Sequence, residues 1–546
     1  MRRLLALAVT TALTASLASG ALAQNRPARS DAPATATPDE PKADTQARGD
    51  TTGRAREARE NRIGDMDIAS APVAEQRRVS HHTATIDGKQ IGYEATAGTL
   101  TLRDDSGKPI ASMFYVAYVA DRSKGDAKRP VTFLYNGGPG SSSLWLHMGS
   151  FGPVRVQTAS PNPSGPGPFS LVNNNESLLD KSDLVFLDAI GAGYSRPLGD
   201  AKGDKFWGVD QDIDAFARGV TRYITINNRW NSPKFLFGES YGTTRSAGLA
   251  YALEQQGVQL NGVLLLSSIL NYGVRNPGFD HNYVSLVPTY AAAAWYHNRV
   301  ANKPADLSAF LAEVRAWAEG PYLAALTKGD RLSPAEADAV ARQLSAYTGI
   351  STQFIKEADL RIDLNRFRKE LLRDQRRTLG RYDSRFEGID LDAAGEGPEE
   401  DPSSTYITGT FVSSLHAYLQ GELGYNTDLR YWPSGPDINR NWDWHHRAPG
   451  GQNGRTQTEP DVALDLAAAM REDPHLKVYS LNGWYDMATP FFGTEYDIAH
   501  MQLDPSIRPN VRFAYYPSGH MVYLNTDALK QMKADVAKFY DEAAPQ

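Results

Sequence analysis

Short apolar runs, separated by helical segments, constrain this chain most. Leu184-Val185-Phe186-Leu187, Phe235-Leu236-Phe237, Val263 to Leu266, Val478 to Leu481 and Val511 to Tyr515 are each nearly all apolar. A strand wet on one face alternates apolar with polar residues. One covered on both faces can be apolar throughout. Helical patterns lie between several of these runs, around Val209 to Thr225 and Thr243 to Gln256. Strands alternating with helices predict an α/β fold built on a mostly parallel sheet with helices on both faces. Ahead of them, residues 78–135 read as β, with the turn Asp87-Gly88 after Thr83 to Ile86, then Leu100 to Leu102, Met113 to Val119 and Val131 to Tyr135.

Between about 283 and 425 the strand signal stops. Leu307, Phe310, Leu311 and Val314 follow helical spacing. Ser333-Pro334-Ala335-Glu336 is a capping box with Pro at the first helical position, and Gly349 can end that helix. Leu364, Phe367 and Leu371 mark a further helix. Because β-type segments resume afterwards, residues 283–425 are expected to form a helical cap inserted into one domain, whose two parts are 76–282 and 426–546.

The N-terminus carries an export pattern. Arg2 and Arg3 precede the apolar stretch Leu4 to Leu17, and Ala21-Leu22-Ala23 fits a small-x-small cleavage site after Ala23. Residues 1–23 are therefore expected to be a signal peptide, which places the protein in the periplasm or outside the cell with no stable membrane anchor. Residues 24–75, rich in Ala, Pro, Thr, Asp and Arg, are expected to be a disordered leader. Loss of Arg2 and Arg3 takes the formal charge from −7 to −9, a poor match for nucleic acid or an anionic membrane. The absence of Cys excludes a thiol nucleophile, thiolate metal sites and iron–sulfur clusters.

The chemistry centres on Gly238-Glu239-Ser240-Tyr241-Gly242. Gly-x-Ser-x-Gly marks a sharp strand-to-helix turn that presents a nucleophilic Ser, and an apolar strand and a helix flank it here. A Ser hydroxyl needs a base. Of the 11 His, His81, His82, His445 and His446 lie in polar stretches and are expected to face solvent; His147, His297 and His416 are expected to pack. A metal site built from the two His pairs lacks an acidic ligand at matching spacing. His520 lies just beyond the strand Val511 to Tyr515, and Asp486 beyond Val478 to Leu481. The order Ser240, Asp486, His520 is that of the α/β-hydrolase fold. Asp188 also follows a strand but precedes the Ser, so a structural or pocket role is expected. The loop Asn136-Gly137-Gly138-Pro139-Gly140-Ser141-Ser142-Ser143 lacks the Gly-Lys-Ser/Thr ending of a phosphate loop. In an α/β-hydrolase, the loop after this early strand supplies one oxyanion-hole N–H and the residue after the nucleophile, Tyr241, the other.

Taken together, these segments resemble the serine carboxypeptidase family. The resemblance rests on Asn136 to Ser143, Gly238 to Tyr241, Gly483 to Asp486 and Gly519 to Val522, in that order, and is expected to span about residues 80–540. It implies a triad of Ser240, Asp486 and His520, an oxyanion hole from the N–H groups of Gly138 and Tyr241, and capture of a peptide's free C-terminal carboxylate by Asn136, the Gly137 N–H and Glu239. It implies an exopeptidase working through an acyl-enzyme, with an esterase or acyltransferase as the alternative on the same scaffold, and no cofactor or metal. The chain departs from the family pattern at Ser141, where the family has Cys, at Asp188-Ala189-Ile190-Gly191, at Asn482 and at Gly242-Thr243-Thr244-Arg245.

Overall fold

A computed structural model describes residues 70–121, 128–450 and 456–544. The expected signal peptide and residues 24–69 of the expected leader lie outside the described residues. Nine strands form the body of a ten-stranded sheet: β1 (Arg77–Ile86), β2 (Lys89–Arg103), β3 (Pro109–Ala120), β4 (Val131–Tyr135), β5 (Asp183–Leu187), β6 (Lys234–Glu239), β7 (Gly262–Leu266), β8 (Lys477–Gly483) and β9 (Val511–Tyr516). Their order across the sheet is β1-β2-β3-β5-β4-β6-β7-β8-β9, and Arg196–Pro197 adds a short pairing on β3. The first three pair antiparallel, β3 meets β5 antiparallel, and every pairing from β5 to β9 is parallel. This is the α/β-hydrolase fold.

The apolar runs explain themselves in this sheet. Side chains alternate faces along a strand, so Leu236 enters one core while Phe235 and Phe237 enter the other. Val185 and Leu187 oppose Leu184 and Phe186 in the same way, and Val263 and Leu265 oppose Leu264 and Leu266. Helices α1 (Val209–Ile226) and α2 (Tyr241–Glu254) cover the first face, through Phe216, Val220, Leu249 and Leu253. The other face is closed by the C-terminal helix Thr526–Ala543, through Leu529, Met532, Val536 and Phe539. Truncating one such buried Leu or Phe to Ala costs about 2–5 kcal/mol.

Between β7 and β8 the chain leaves the sheet. Helices Asp280–Tyr296, Leu307–Trp317, Pro334–Thr348 and Pro402–Ala417 lie in this stretch. The capping box at Ser333 and Glu336 is formed, and Gly349 ends that helix with φ 70°. The helical stretch has its own apolar core around Tyr290, Leu311, Leu344 and Phe367, shared with Tyr485 and Phe491 from beyond β8. A two-residue strand pair, Thr378–Leu379 with Glu387–Gly388, interrupts the helices.

The end of the expected disordered leader is a correction. Thr101 Oγ1 donates to the Val73 carbonyl, Thr101 N donates to Glu75 at 3.0 Å, and Arg222 pairs with Glu75 at 2.8 Å. Polar groups on β2 and α1 give this polar stretch partners that composition cannot reveal.

Candidate active site

Because β4, β6, β8 and β9 run parallel, their C-terminal ends open on one edge of the sheet, where such folds gather functional residues. Ser240 sits between β6 and α2 with φ 61° and ψ −131°. A non-glycine residue holds that conformation only when its surroundings fix it. Ser240 N donates to the Leu266 carbonyl at 3.0 Å, and Thr243 N to the Ser240 carbonyl at 2.8 Å. The flanking glycines are required: a Cβ on Gly238 would lie 2.1 Å from the Gly242 carbonyl oxygen, and one on Gly242 2.8 Å from that of Tyr135.

His520 and Asp486 meet in the fold. Nδ1 of His520 lies 2.8 Å from Asp486 Oδ2, with both residues buried. The carboxylate is fixed by three further donors: Ala488 N (2.8 Å) and Thr489 N (3.0 Å) to Oδ1, and the Thr489 hydroxyl (2.7 Å) to Oδ2. Burial opposes charge on the imidazole, but the Asp486 carboxylate outweighs it and raises the His520 pKa above the ordinary range. Among the described residues no hydrogen bond joins Ser240 Oγ to His520. Both line one cavity of about 300 Å³, together with Asn136, Gly137, Gly138 and Glu239. Such bonds commonly tighten only when substrate binds.

The glycine-rich loop follows β4 and presses against the Ser240 turn. A Cβ on Gly137 would lie 2.4 Å from the Tyr241 nitrogen, so only glycine lets this loop approach. Gly138, at φ 106°, turns the chain there. Asp188 anchors the loop by accepting from Ser143 N at 2.7 Å, the structural role expected of it. Burial holds its carboxyl up at about 7.

Glu239 is the unusual group. It is 2% exposed. Burial pushes its carboxyl up to about 7, against the pull of the His520 charge and of hydrogen bonds from Tyr523 and Asn136. The Tyr523 hydroxyl donates to Glu239 Oε2 at 2.9 Å. Leu146 N donates to Asn136 Oδ1 at 2.9 Å, which turns the Asn136 amide nitrogen toward Glu239 and Tyr523.

Several residues at this site carry no local sequence signal. Trp145, Tyr382, Ser404, Ile407, Thr408, Pro433 and Ser434 also line the cavity. Six of these seven come from the segment between β7 and β8. That segment also clamps His520: its N donates to the Tyr382 carbonyl at 2.6 Å, and a Cβ on Gly519 would lie 2.4 Å from Asp383 Cβ. Arg245, one of the departures from the family pattern, is fully buried. It pairs with Asp212 at 2.7 Å, stacks 4.0 Å from the Phe216 ring centroid, and donates to the Asn136 carbonyl at 2.7 Å. It thus braces the loop that faces the cavity.

His446 is a correction. The polar stretch around it predicts exposure, yet it is 2% exposed, between Asp210 (2.6 Å from Nδ1) and Asp465 (2.9 Å from Nε2). Burial opposes its charge, but the two carboxylates outweigh it and raise the imidazole to about 9. His82 is half-buried, with its ring stacked on Tyr93 at 5.5 Å. His81 and His445 are exposed, His147 is buried, and His297 and His416 are half-buried. Among the described residues no group of three or more His, Asp or Glu could hold a metal ion, and no helix is long and apolar enough to cross a membrane.

Residues 88–330 match the serine carboxypeptidase family. The match contains the glycine-rich loop and the Ser240 turn. Asp486 and His520 lie beyond it and are placed by the fold. The chain is 28% identical over 207 residues to serine carboxypeptidase-like 20 of Arabidopsis thaliana, covering 36% of this chain and 39% of that protein. It is 28% identical over 159 residues to serine carboxypeptidase-like 45 of the same plant, covering 28% and 30%. The chain thus spans well under half the length of these curated relatives. A solved structure of Kex1(Δ)p, a prohormone-processing carboxypeptidase from Saccharomyces cerevisiae, shares the fold at a TM-score of 0.50 and 16% identity, over 82% of this chain and 91% of that one.

Proposed function

We propose that this protein is a serine carboxypeptidase that releases C-terminal residues from peptides through an acyl-enzyme on Ser240. The observation that carries the reading is the buried Glu239 carboxyl, raised to about 7, in the same cavity as Ser240 and His520. Cleaving a simple ester calls for no such group. A substrate with a free carboxylate is served by a neutral carboxyl that donates a hydrogen bond, beside the Asn136 amide and the Gly137 N–H.

Ser240 Oγ attacks the terminal peptide carbonyl while His520 Nε2 takes its proton. The N–H groups of Gly138 and Tyr241 stabilise the oxyanion. As the C–N bond breaks, His520 returns the proton to the leaving amine, which departs as a free amino acid. Water repeats the sequence to release the shortened peptide and restore Ser240. Asp486 holds the tautomer with the Nδ1 proton toward itself.

The pH dependence follows from Glu239. Below about 7 it is neutral and donates; above, two carboxylates repel. The kcat/KM for a free-acid peptide therefore falls as pH rises through about 7, and the neutral-imidazole requirement limits it at the acid end. The test is a panel across pH: an N-blocked dipeptide, its C-terminal amide and an aryl ester. The expected result is cleavage of the free acid over the amide, with the preference shrinking above pH 7. Equal cleavage of acid and amide, or an alkaline peptide optimum, overturns the reading; preference for the ester favours an esterase or acyltransferase.

The reading extends to location. Arg2, Arg3 and Ala21-Leu22-Ala23 support a bacterial exported protein that acts in the periplasm or outside the cell after cleavage behind Ala23. N-terminal sequencing of the mature protein should begin at Gln24.

A further inference from the structure

We propose that Tyr523 is a positioning residue that fixes which oxygen of Glu239 carries the proton offered to the substrate carboxylate. The inference rests on the carboxypeptidase reading and deepens it. Tyr523 follows His520 by three residues, in the single turn Val522–Leu524, so the segment that delivers the base also delivers this hydroxyl. The phenol is 2% exposed and tightly held: a Cβ on Gly149 would lie 2.5 Å from its Cε2.

A phenol has one proton to donate. Tyr523 gives it to Glu239 Oε2 at 2.9 Å, and the Asn136 amide nitrogen faces the hydroxyl. Asn136 cannot reverse, because Leu146 N already donates to its Oδ1 at 2.9 Å. The phenol's one proton is therefore committed to Oε2. With Oε2 accepting, the proton of a neutral Glu239 sits on Oε1. The charged and titratable groups facing Glu239 are His520 after β9, Asp486 after β8 and Tyr523 itself. The first two belong to the triad, which leaves Tyr523 as the group dedicated to the carboxyl.

A hydrogen bond to a carboxylate favours its ionised form. Tyr523→Phe keeps the ring and removes that bond, so the Glu239 carboxyl holds its proton to higher pH. The descending limb of kcat/KM for the free-acid peptide moves up by about one pH unit. With the carboxyl free to turn, KM for that peptide rises roughly 5-fold while kcat stays nearly level. The aryl-ester profile does not move along the pH axis. A purely structural tyrosine would alter both substrates alike, or neither.

The experiment compares wild type, Tyr523→Phe, Glu239→Gln and the double variant on the blocked dipeptide and the ester. In parallel, infrared titration of the carboxyl band, isolated by subtraction of Glu239→Gln, reads the protonation of Glu239 without substrate. The expected result is a limb and a band that both shift upward in Tyr523→Phe, with no limb left to shift in the double variant. An unmoved band and limb overturn the inference, as does an equal shift with the ester. If wild type shows no preference for free acid over amide, the carboxypeptidase reading falls, while the band still tests the link between Tyr523 and Glu239.

Discussion

Two buried histidines in this protein each bind an aspartate through Nδ1, and only one of them stands at the cavity that holds Ser240. His520 meets Asp486 at 2.8 Å and His446 meets Asp210 at 2.6 Å. The difference is at the other ring nitrogen. Nε2 of His446 is taken by a second carboxylate, Asp465, at 2.9 Å. Among the described residues no hydrogen bond reaches Nε2 of His520, which lines the cavity with Ser240. A histidine gripped on both sides by carboxylates is a fixed cation, held at about 9. One gripped on a single side keeps a basic nitrogen for a proton that must move. A buried His–Asp pair is thus not by itself a sign of catalysis; the unoccupied second nitrogen and the nearby nucleophile are.

The largest expected effect breaks the catalytic half. Ser240→Ala should lower kcat for the free-acid peptide by roughly 10⁶-fold, as expected when the nucleophile of a triad is lost, and steady-state kinetics on the peptide panel read it. Asp486→Asn should cost roughly 10⁴-fold, because the amide favours the wrong tautomer. The matching change at the other histidine, Asp465→Asn, should leave kcat within about 2-fold. A comparable loss in both would show that the two sites are not functionally distinct.

Stability should sort the opposite way. His446→Ala strands buried Asp465 and should destabilise the fold by about 3–5 kcal/mol, measured by urea unfolding, with kcat for the folded protein unchanged. Its pH dependence has a definite sign. His446 has a folded pKa above its unfolded value, so its contribution is complete below about 6.5 and is lost as pH rises toward about 9. The wild-type Tm should fall across that window more steeply than that of His446→Ala. The smallest effect belongs to Asp210→Asn, since the Asp210 side chain is 45% exposed: about 1 kcal/mol or less.

The histidines also show where sequence reading stops. His520 was legible because it follows an apolar strand late in the chain, a position that the fold itself defines. His446 sits in Trp442-Asp443-Trp444-His445-His446-Arg447, which reads as polar surface. Its burial depends on Asp210 and Asp465, 236 and 19 residues away. Arg245 is a parallel case. A charged residue on a helix suggests solvent, but Asp212, 33 residues earlier, and the Phe216 ring make a buried site for it.

Local pattern alone pointed to the parallel sheet, the helical stretch between β7 and β8, the strained Ser240 turn and the chain order Ser240, Asp486, His520. Each depends on periodicities, glycine sterics or strand-to-loop junctions that are written within a few residues. Only the tertiary structure decided which residues between β7 and β8 line the cavity, that Tyr382 and Asp383 brace the His520 loop, and that Glu239 is buried with Tyr523 on one oxygen. Those facts depend on desolvation and on hydrogen-bond partners brought together from distant segments. The Tyr523–Glu239 bond alone joins positions 284 residues apart.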